Sequence, residues 1–458
     1  MSMPEVMVGA FLEYKIRTVQ NKMVAKDKFD TNYFLQTDSP VQHAEFSVKL
    51  PQGRKLNQKV LNLVFAKQTA SLSPIVVENS DHSIYSWKFD NIEQMIPEPQ
   101  MPPLSEVTPV ILLSTFESWK QVYDWWWPLA KDKIQVNEAM KAKIGELVNA
   151  TMTEREKAEV LHNFCIRNIR YVGVEYGQAG YEPHPAPEIF SNKYGDCKDQ
   201  SILLISMLEA VGIKAHPVLI GTREVPKLQD DFPSMLFNHC IVVAEIGGEF
   251  IFLDPTGETV LFGDLPAGDQ ARDVLVFFDN EAKIMKTPKY PADHNQVIKK
   301  TTLNFINPQE IKGQREITTQ GIFDQGQRAW LRYTMPALIE ETLRQKIQEV
   351  IPKGRLIDYK IENLDEMKKS ITLFYSFSGS DFLIKAGDKM WVVPQLGGID
   401  LDAVSRNERN FGIDLSLPQT YLTTIEINLP QEYRVKSLPK PVESDNKWFS
   451  YKHGYQEK

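Results

Sequence analysis

Cys197 stands in the stretch Tyr194-Gly195-Asp196-Cys197-Lys198-Asp199-Gln200, directly before the apolar run Ser201 to Val211. Gly195 and Asp196 read as a turn and a helix N-cap, so the thiol is expected in the first turn of a helix. There it faces unpaired backbone N–H groups and the positive end of the helix dipole, which favour thiolate over thiol. Two later stretches, Phe237-Asn238-His239-Cys240-Ile241-Val242-Val243 and Phe250-Ile251-Phe252-Leu253-Asp254-Pro255-Thr256-Gly257, supply an imidazole and a carboxylate. The chemistry these types support is acyl transfer. Cys197 attacks a carbonyl carbon, His239 takes the thiol proton and returns it to the leaving amine, and Asp254 fixes the ring tautomer and steadies the imidazolium. The Cys197 backbone N–H is the natural first oxyanion donor, with a second expected from Tyr171, Tyr176 or Gln178, between which sequence does not choose.

The elements that must position these groups are legible around them. Leu203, Leu204, Met207, Leu208 and Val211 repeat at helical spacing, and Gly212 stands where a C-terminal cap belongs. Strand-like runs follow at Ala215 to Ile220, His239 to Ile246 and Glu249 to Leu253, with Gly247-Gly248 as the hairpin turn between the last two. Asp254 then lies at the far end of the returning strand and reaches His239 if the register is regular. Alternation along a strand predicts that Cys240 points away from the helix that His239 faces, and is inert. Upstream, Thr153-Glu154-Arg155-Glu156 has capping-box spacing, and Ala158, Leu161, Cys165 and Ile169 make an apolar stripe with Cys165 a small buried hydrophobe. His162 is expected at the surface or boundary of that helix, and His184 and His216 read as structural.

Composition bounds the function. The chain has 458 residues, three cysteines and a net charge of −8, without a basic block, which argues against a nucleic-acid partner. No apolar run reaches the ~18 residues of a membrane span, and no signal peptide is evident. Cys165, Cys197 and Cys240 are an odd set and make no complete disulfide framework. Zinc ligation by Cys197, Cys240, His239 and Asp254 is disfavoured, since no second cysteine stands two to four residues from Cys197. No cofactor or metal is implied.

The flanks differ from the centre. Short alternating runs from Val6 to about Ile111, including Phe11 to Ile16, Glu45 to Leu50 and Ser83 to Phe89, predict a β-rich domain over residues 1–110. The Pro-rich stretch Ile96 to Pro103 reads as its exit. A helix at about Phe116 to Trp127 carries an aromatic face docked between domains, with Pro128 ending or kinking it, and an amphipathic helix follows from Lys131 to Asn149. These lead into a catalytic core over 111–290. From 291 to 458 β character returns, in Thr302 to Phe305, Ile371 to Tyr375 and Tyr421 to Leu429, around a helix at Met335 to Val350.

Tyr171-Val172-Gly173-Val174-Glu175, Gly180-Tyr181-Glu182-Pro183, Tyr194 to Asp199, Asn238-His239-Cys240 and Leu253-Asp254-Pro255-Thr256 together resemble the bacterial branch of the transglutaminase-like superfamily. The resemblance implies an α+β fold: a papain-like core, in which the helix bearing the cysteine packs on an antiparallel sheet, between two β-rich domains. It implies Cys197 as nucleophile, His239 as base and Asp254 as orienter. The N-terminal region and the segment around Trp119 to Trp127 resemble a domain of unknown function that precedes this core in many Gram-negative proteins, and the C-terminal part resembles the β domain that often follows. Both end domains are expected to be incomplete in this chain. Relatives are usually exported, so a periplasmic location is favoured despite the missing address. The expected activity is that of a cysteine peptidase or amidase acting on a protein or peptide, ahead of a transamidase. The rival expectation is a non-catalytic scaffold that keeps the fold to hold a peptide or surface partner.

Overall fold

The computed structural model describes residues 7–19, 25, 27–63, 72–175, 177–307, 309–349, 351, 353–387, 389–392 and 402–457. The N-terminal part contains β1 (Asp30–Phe34), β2 (Val41–Pro51), β3 (Asn57–Leu61), β4 (Ile75–Glu78), β5 (His82–Ile92), the one-turn helix α1 (Leu104–Val107) and β6 (Val110–Ser114). They form two three-stranded sheets, β2-β5-β4 and β1-β6-β3, with Trp87, Phe89, Ile111 and Leu113 buried between them. Phe11 to Ile16 do not form the expected strand. They are irregular and exposed, because alternation yields a stable strand only where a neighbour takes its hydrogen bonds and a core takes its apolar face.

The central part runs α2 (Trp119–Ala130), α3 (Glu138–Leu147), α4 (Glu154–Asn168), β7 (Arg170–Tyr171), α5 (Ala186–Asn192), β8 (Tyr194–Gly195), α6 (Cys197–Glu209), β9 (Ala215–Ile220), β10 (His239–Ile246), β11 (Glu249–Leu253), β12 (Asp273–Phe277) and β13 (Ala282–Lys286). The sheet is antiparallel, in the order β11-β10-β9-β12-β13. Helix α6 is buried along its whole length except its last residue, walled by α4, α5, β9 and β10. Each fully buried Leu or Ile of this helix is worth roughly 1.5–3 kcal/mol of apolar burial, which holds the N-terminus of α6 in one place. Gly247 and Gly248 have φ of 61° and 83°, the paired positive values of a type I′ turn, and so set the β10–β11 register.

Helix α2 starts later than expected, where the Ser118 side chain accepts from the Gln121 amide, and runs past Pro128 to Ala130. Its aromatic face docks on the central sheet: Trp126 and Phe277 ring centroids lie 4.4 Å apart, and Trp126 Nε1 donates to the Tyr181 carbonyl at 3.0 Å. The single helix expected from Lys131 to Asn149 is broken by a 3-10 turn at Lys131–Lys133, because Asn137 caps a fresh start for α3.

The C-terminal part contains β14 (Gln296–Asn307), β15 (Glu310–Thr319), α7 (Ile322–Tyr333), α8 (Pro336–Gln348), β16 (Arg355–Glu362), β17 (Thr372–Ser380), β18 (Ile384–Ala386), β19 (Lys389–Trp391) and β20 (Thr420–Asn428). Its five-stranded sheet has the order β16-β17-β15-β14-β20, with β20 parallel to β14. The expected helix corresponds to α8, while Val350 lies outside the described residues. Helix α7 escapes periodicity because its buried face is polar: Asp324, Gln325 and Arg328 are buried beside Leu331. Arg328 pairs with Asp324 and donates to the carbonyls of Asn363, Leu364 and Lys369. Among the described residues, no helix is long and apolar enough to cross a membrane.

Candidate active site

The site is assembled at the N-terminus of α6. Asp196 is the N-cap: its side chain accepts from the Asp199 amide, and the Asp199 side chain accepts from the Asp196 amide, a reciprocal box at 3.2 Å each way. Asp199 also receives the His184 amide at 2.8 Å and faces His184 Nδ1 at 3.2 Å. Gly195 is required by crowding: a Cβ there would lie 2.6 Å from the Asp199 Cβ. Lys198, itself buried, pairs with Asp196. Cys197 is thereby set in the first helical turn, 8 % exposed, where no intrahelical acceptor exists for its amide.

His239 opens β10, opposite Ile220 of β9, and the adjacent Asn238 side chain bonds Thr222 through both its oxygen and its nitrogen. The His239 ring comes close enough to the Cys197 thiol for the thiol to favour the charged form of the ring. On its other side Nε2 lies 3.3 Å from Asp254 Oδ2, which leaves Nδ1 for the thiol. Asp254 follows β11, whose pairing with β10 is regular through Val242 and Leu253. Its second oxygen accepts from the Thr256 amide at 2.9 Å and hydroxyl at 2.7 Å, so the carboxylate cannot rotate freely.

The electrostatics follow from this geometry. Burial opposes charge on His239, but the Asp254 carboxylate, by charge and hydrogen bond, and then the Cys197 thiol hold its pKa well above the usual imidazole range. Burial likewise opposes ionisation of Asp254, yet His239 and the Thr256 donors hold it below the ordinary carboxylate value. The other thiols are pushed up by burial, Cys165 to about 12 and Cys240 further still.

The structure brings Cys197, His239 and Asp254 together at one end of the helix. Cys240 departs from expectation. Its side chain packs in the same cluster as α6, and Ser201 Oγ donates to its carbonyl at 3.0 Å. Alternation fails as a guide because Cys197 lies at the end of the helix, so the His239 ring reaches it past the strand's first residue while Cys240 faces the helix body. His162 is buried, contrary to its expected surface position, and its Nε2 lies 3.2 Å from the Asp254 carbonyl. Burial lowers its pKa, so the neutral ring donates there. Its spacing from Ala158 and Cys165 on the apolar stripe was the available signal.

Of the oxyanion candidates, Tyr171 is near the thiol. Burial and the negative charges of Cys197, Glu175, Asp196 and Asp254 keep its phenol protonated well above the usual range. Gln178 donates its amide to Glu182, and Tyr176 lies outside the described residues. Asp269, which no motif marks, also enters the site: its Oδ2 lies 4.0 Å from His239 Nε2. Among the described residues, the donor atoms of His239, Asp254 and Asp269 are the group compact enough to hold a cation, all within 4.8 Å.

A thiol on the first turn of a buried helix, an imidazole on the adjoining antiparallel sheet and a carboxylate behind it define a cysteine-protease-like α+β core. Residues 141–255 match the family model of the transglutaminase-like superfamily. Residues 1–96 match that of a domain of unknown function, DUF3857. Solved structures similar to the chain include two of low sequence identity. One is a "putative protease" from Parabacteroides distasonis, 15% identical with a TM-score of 0.48, covering 77% of this chain and 69% of that one. The other is a "putative cysteine protease" from Cytophaga hutchinsonii, 14% identical with a TM-score of 0.22, covering 50% of this chain and 75% of that one. No curated protein matches.

Proposed function

We propose that this chain is a thiol-dependent amide-bond enzyme working through an acyl-enzyme on Cys197, a peptidase or amidase in preference to a transamidase. The observation that carries this reading is the His239 imidazole, held 3.3 Å from the fixed Asp254 carboxylate and near enough to Cys197 at the start of α6 to feel its charge. His239 takes the thiol proton as sulfur adds to the carbonyl carbon. The tetrahedral oxyanion is received by the Cys197 amide, with the Tyr171 phenol as the second donor. The imidazolium returns its proton to the leaving amine, the C–N bond breaks, and a thioester remains. Water, deprotonated by His239, then releases the acid.

Three units are proposed, supported by the separate hydrophobic clusters around Trp87, around α6 and around Phe377; the first boundary falls after Ser114 and not at 110, because β6 pairs with β1 and β3 and buries Ile111 and Leu113 beside Trp87, and the second stays at 290/291. The central unit carries the chemistry, since Cys197, His239 and Asp254 all lie within it.

The test is a thiol-directed probe with mass-spectrometric site mapping, followed by a peptide library incubated with and without a primary amine. Labelling of Cys197 that disappears in His239→Ala, together with peptide cleavage lost in Cys197→Ala, supports the proposal. Equal, slow labelling of all three cysteines and no turnover would favour a scaffold. Amine incorporated into the product would replace hydrolysis by transamidation.

A further inference from the structure

The proposed triad gives no role to Asp269, whose buried Oδ2 is unpartnered among the described residues. Asp269 closes the short 3-10 turn Ala267–Asp269, which is pinned by its amide to the Pro266 carbonyl at 3.0 Å and by Thr287 Oγ1 donating to its own carbonyl at 2.5 Å. Its side chain is turned inward and the residue is 3 % exposed. Oδ2 accepts no hydrogen bond from any donor among the described residues, although it lies 4.0 Å from His239 Nε2, and a carboxylate oxygen of Asp269 lies within 4.8 Å of one of Asp254. A buried carboxylate oxygen without a donor is costly, and two carboxylates this close do not both ionise readily. One proton between them resolves both difficulties at once: it supplies the missing hydrogen bond and removes one of the two charges.

We propose that Asp269 is a positioning residue that shares one proton with Asp254 and so holds the His239 ring against two carboxylates, one ionised and one neutral. This deepens, and rests on, the thiol–imidazole reading above. Three groups face Asp269: Asp254, His239 and Arg272. Arg272 is itself buried and tied to the carbonyls of Gly221 at 2.6 Å and Val225 at 3.2 Å, and it shares its surroundings with Glu106, Arg223 and Asp273. Burial and then Asp254 push Asp269 up to about 7, against the pull of His239 and Arg272. The consequence is directional. Below neutrality His239 feels one negative charge behind it. Above neutrality Asp269 ionises, a second charge appears 4.0 Å from Nε2, and the imidazolium persists to higher pH.

The experiment compares wild type, Asp269→Asn and His239→Ala as the full chain, reading Cys197 alkylation by iodoacetamide against pH and the pH titration of the His239 ring by NMR. In the wild type the ring signal is expected to show an added inflection near pH 7 as Asp269 ionises. In Asp269→Asn, whose amide donates to Asp254 at every pH, that inflection is lost and the His239 midpoint falls by at least about one pH unit. A merely structural role would lower stability without moving either feature. Loss of the ring inflection from the wild-type titration overturns the proposal even if the variant does not fold. So does an unchanged His239 midpoint in a folded variant, or a stoichiometric divalent metal whose chelation alters alkylation. If the alkylation profile of His239→Ala matches wild type, the thiol–imidazole reading itself fails. If that variant shifts while Asp269→Asn does not, only the role of Asp269 fails.

Discussion

Asp254→Asn is the substitution whose consequence can be worked furthest from the geometry. The carboxylate oxygen lies 3.3 Å from His239 Nε2. At an effective dielectric near 20, a unit charge at that distance favours the imidazolium by about 5 kcal/mol, an upper figure that relaxation roughly halves. Loss of that charge therefore lowers the pKa of the ring. The tautomer changes as well. Asp254 Oδ1 already accepts from the Thr256 amide and hydroxyl, so in the variant the amide oxygen keeps those bonds and the NH2 group turns to Nε2. Nε2 must then accept, its proton moves to Nδ1, and the nitrogen facing Cys197 cannot take the thiol proton. Charge and tautomer act together, and a fall of roughly 10²–10⁴ in kcat is expected, with little change in fold. The assay is the pH profile of Cys197 alkylation, and of peptide turnover once a substrate is found, with circular dichroism to verify folding. A folded variant within tenfold of wild type and with the same profile would refute the orienting role of Asp254.

Alkylation mapped by mass spectrometry on the native protein should modify Cys197 while Cys165 and Cys240, both buried with thiols pushed up, react only after unfolding. Gly195→Ala would drive a Cβ to 2.6 Å from Asp199; a cost of about 1–3 kcal/mol is expected by chemical denaturation, together with loss of fast Cys197 labelling. Asp324→Ala leaves the fully buried Arg328 guanidinium without its carboxylate, so about 3–5 kcal/mol of stability should be lost, visible as faster amide exchange in α7 and β17, with partial recovery in Asp324→Leu/Arg328→Met. The His239–Asp254 pair makes stability pH-dependent with opposite signs at its two ends. Asp254 is held below its ordinary value, so its contribution is present above about pH 4 and lost as pH falls through the folded value; His239 is held above its own, so its contribution is complete below about pH 6.5 and lost as pH rises through the folded value. The stability difference between wild type and Asp254→Ala should therefore be largest between about pH 4 and 6.5 in denaturant titrations.

Local chemistry was legible where neighbours in the chain decide the outcome. The Asp196 cap, the start of α6 at Cys197, the Gly247-Gly248 turn and the order helix, strand, strand all follow from interactions within a few residues. The same local rules misjudged Phe11 to Ile16 and the direction of Cys240, since a strand's partner and the point at which a ring passes a helix end are set by distant segments. Helix α7 was invisible to periodicity because its buried face is an ion-pair network and not an apolar stripe.

By itself the sequence determined that a thiol begins a buried helix and that an imidazole and a carboxylate follow on strands, because capping, periodicity and turn chemistry are short-range. Only the tertiary structure decided that His162 backs the Asp254 carbonyl and that Asp269, from a loop without a motif, arrives 4.0 Å from the same ring. The physical reason is that both side chains act by being excluded from water at a place where four separate segments converge, and that exclusion does not exist until the chain has packed.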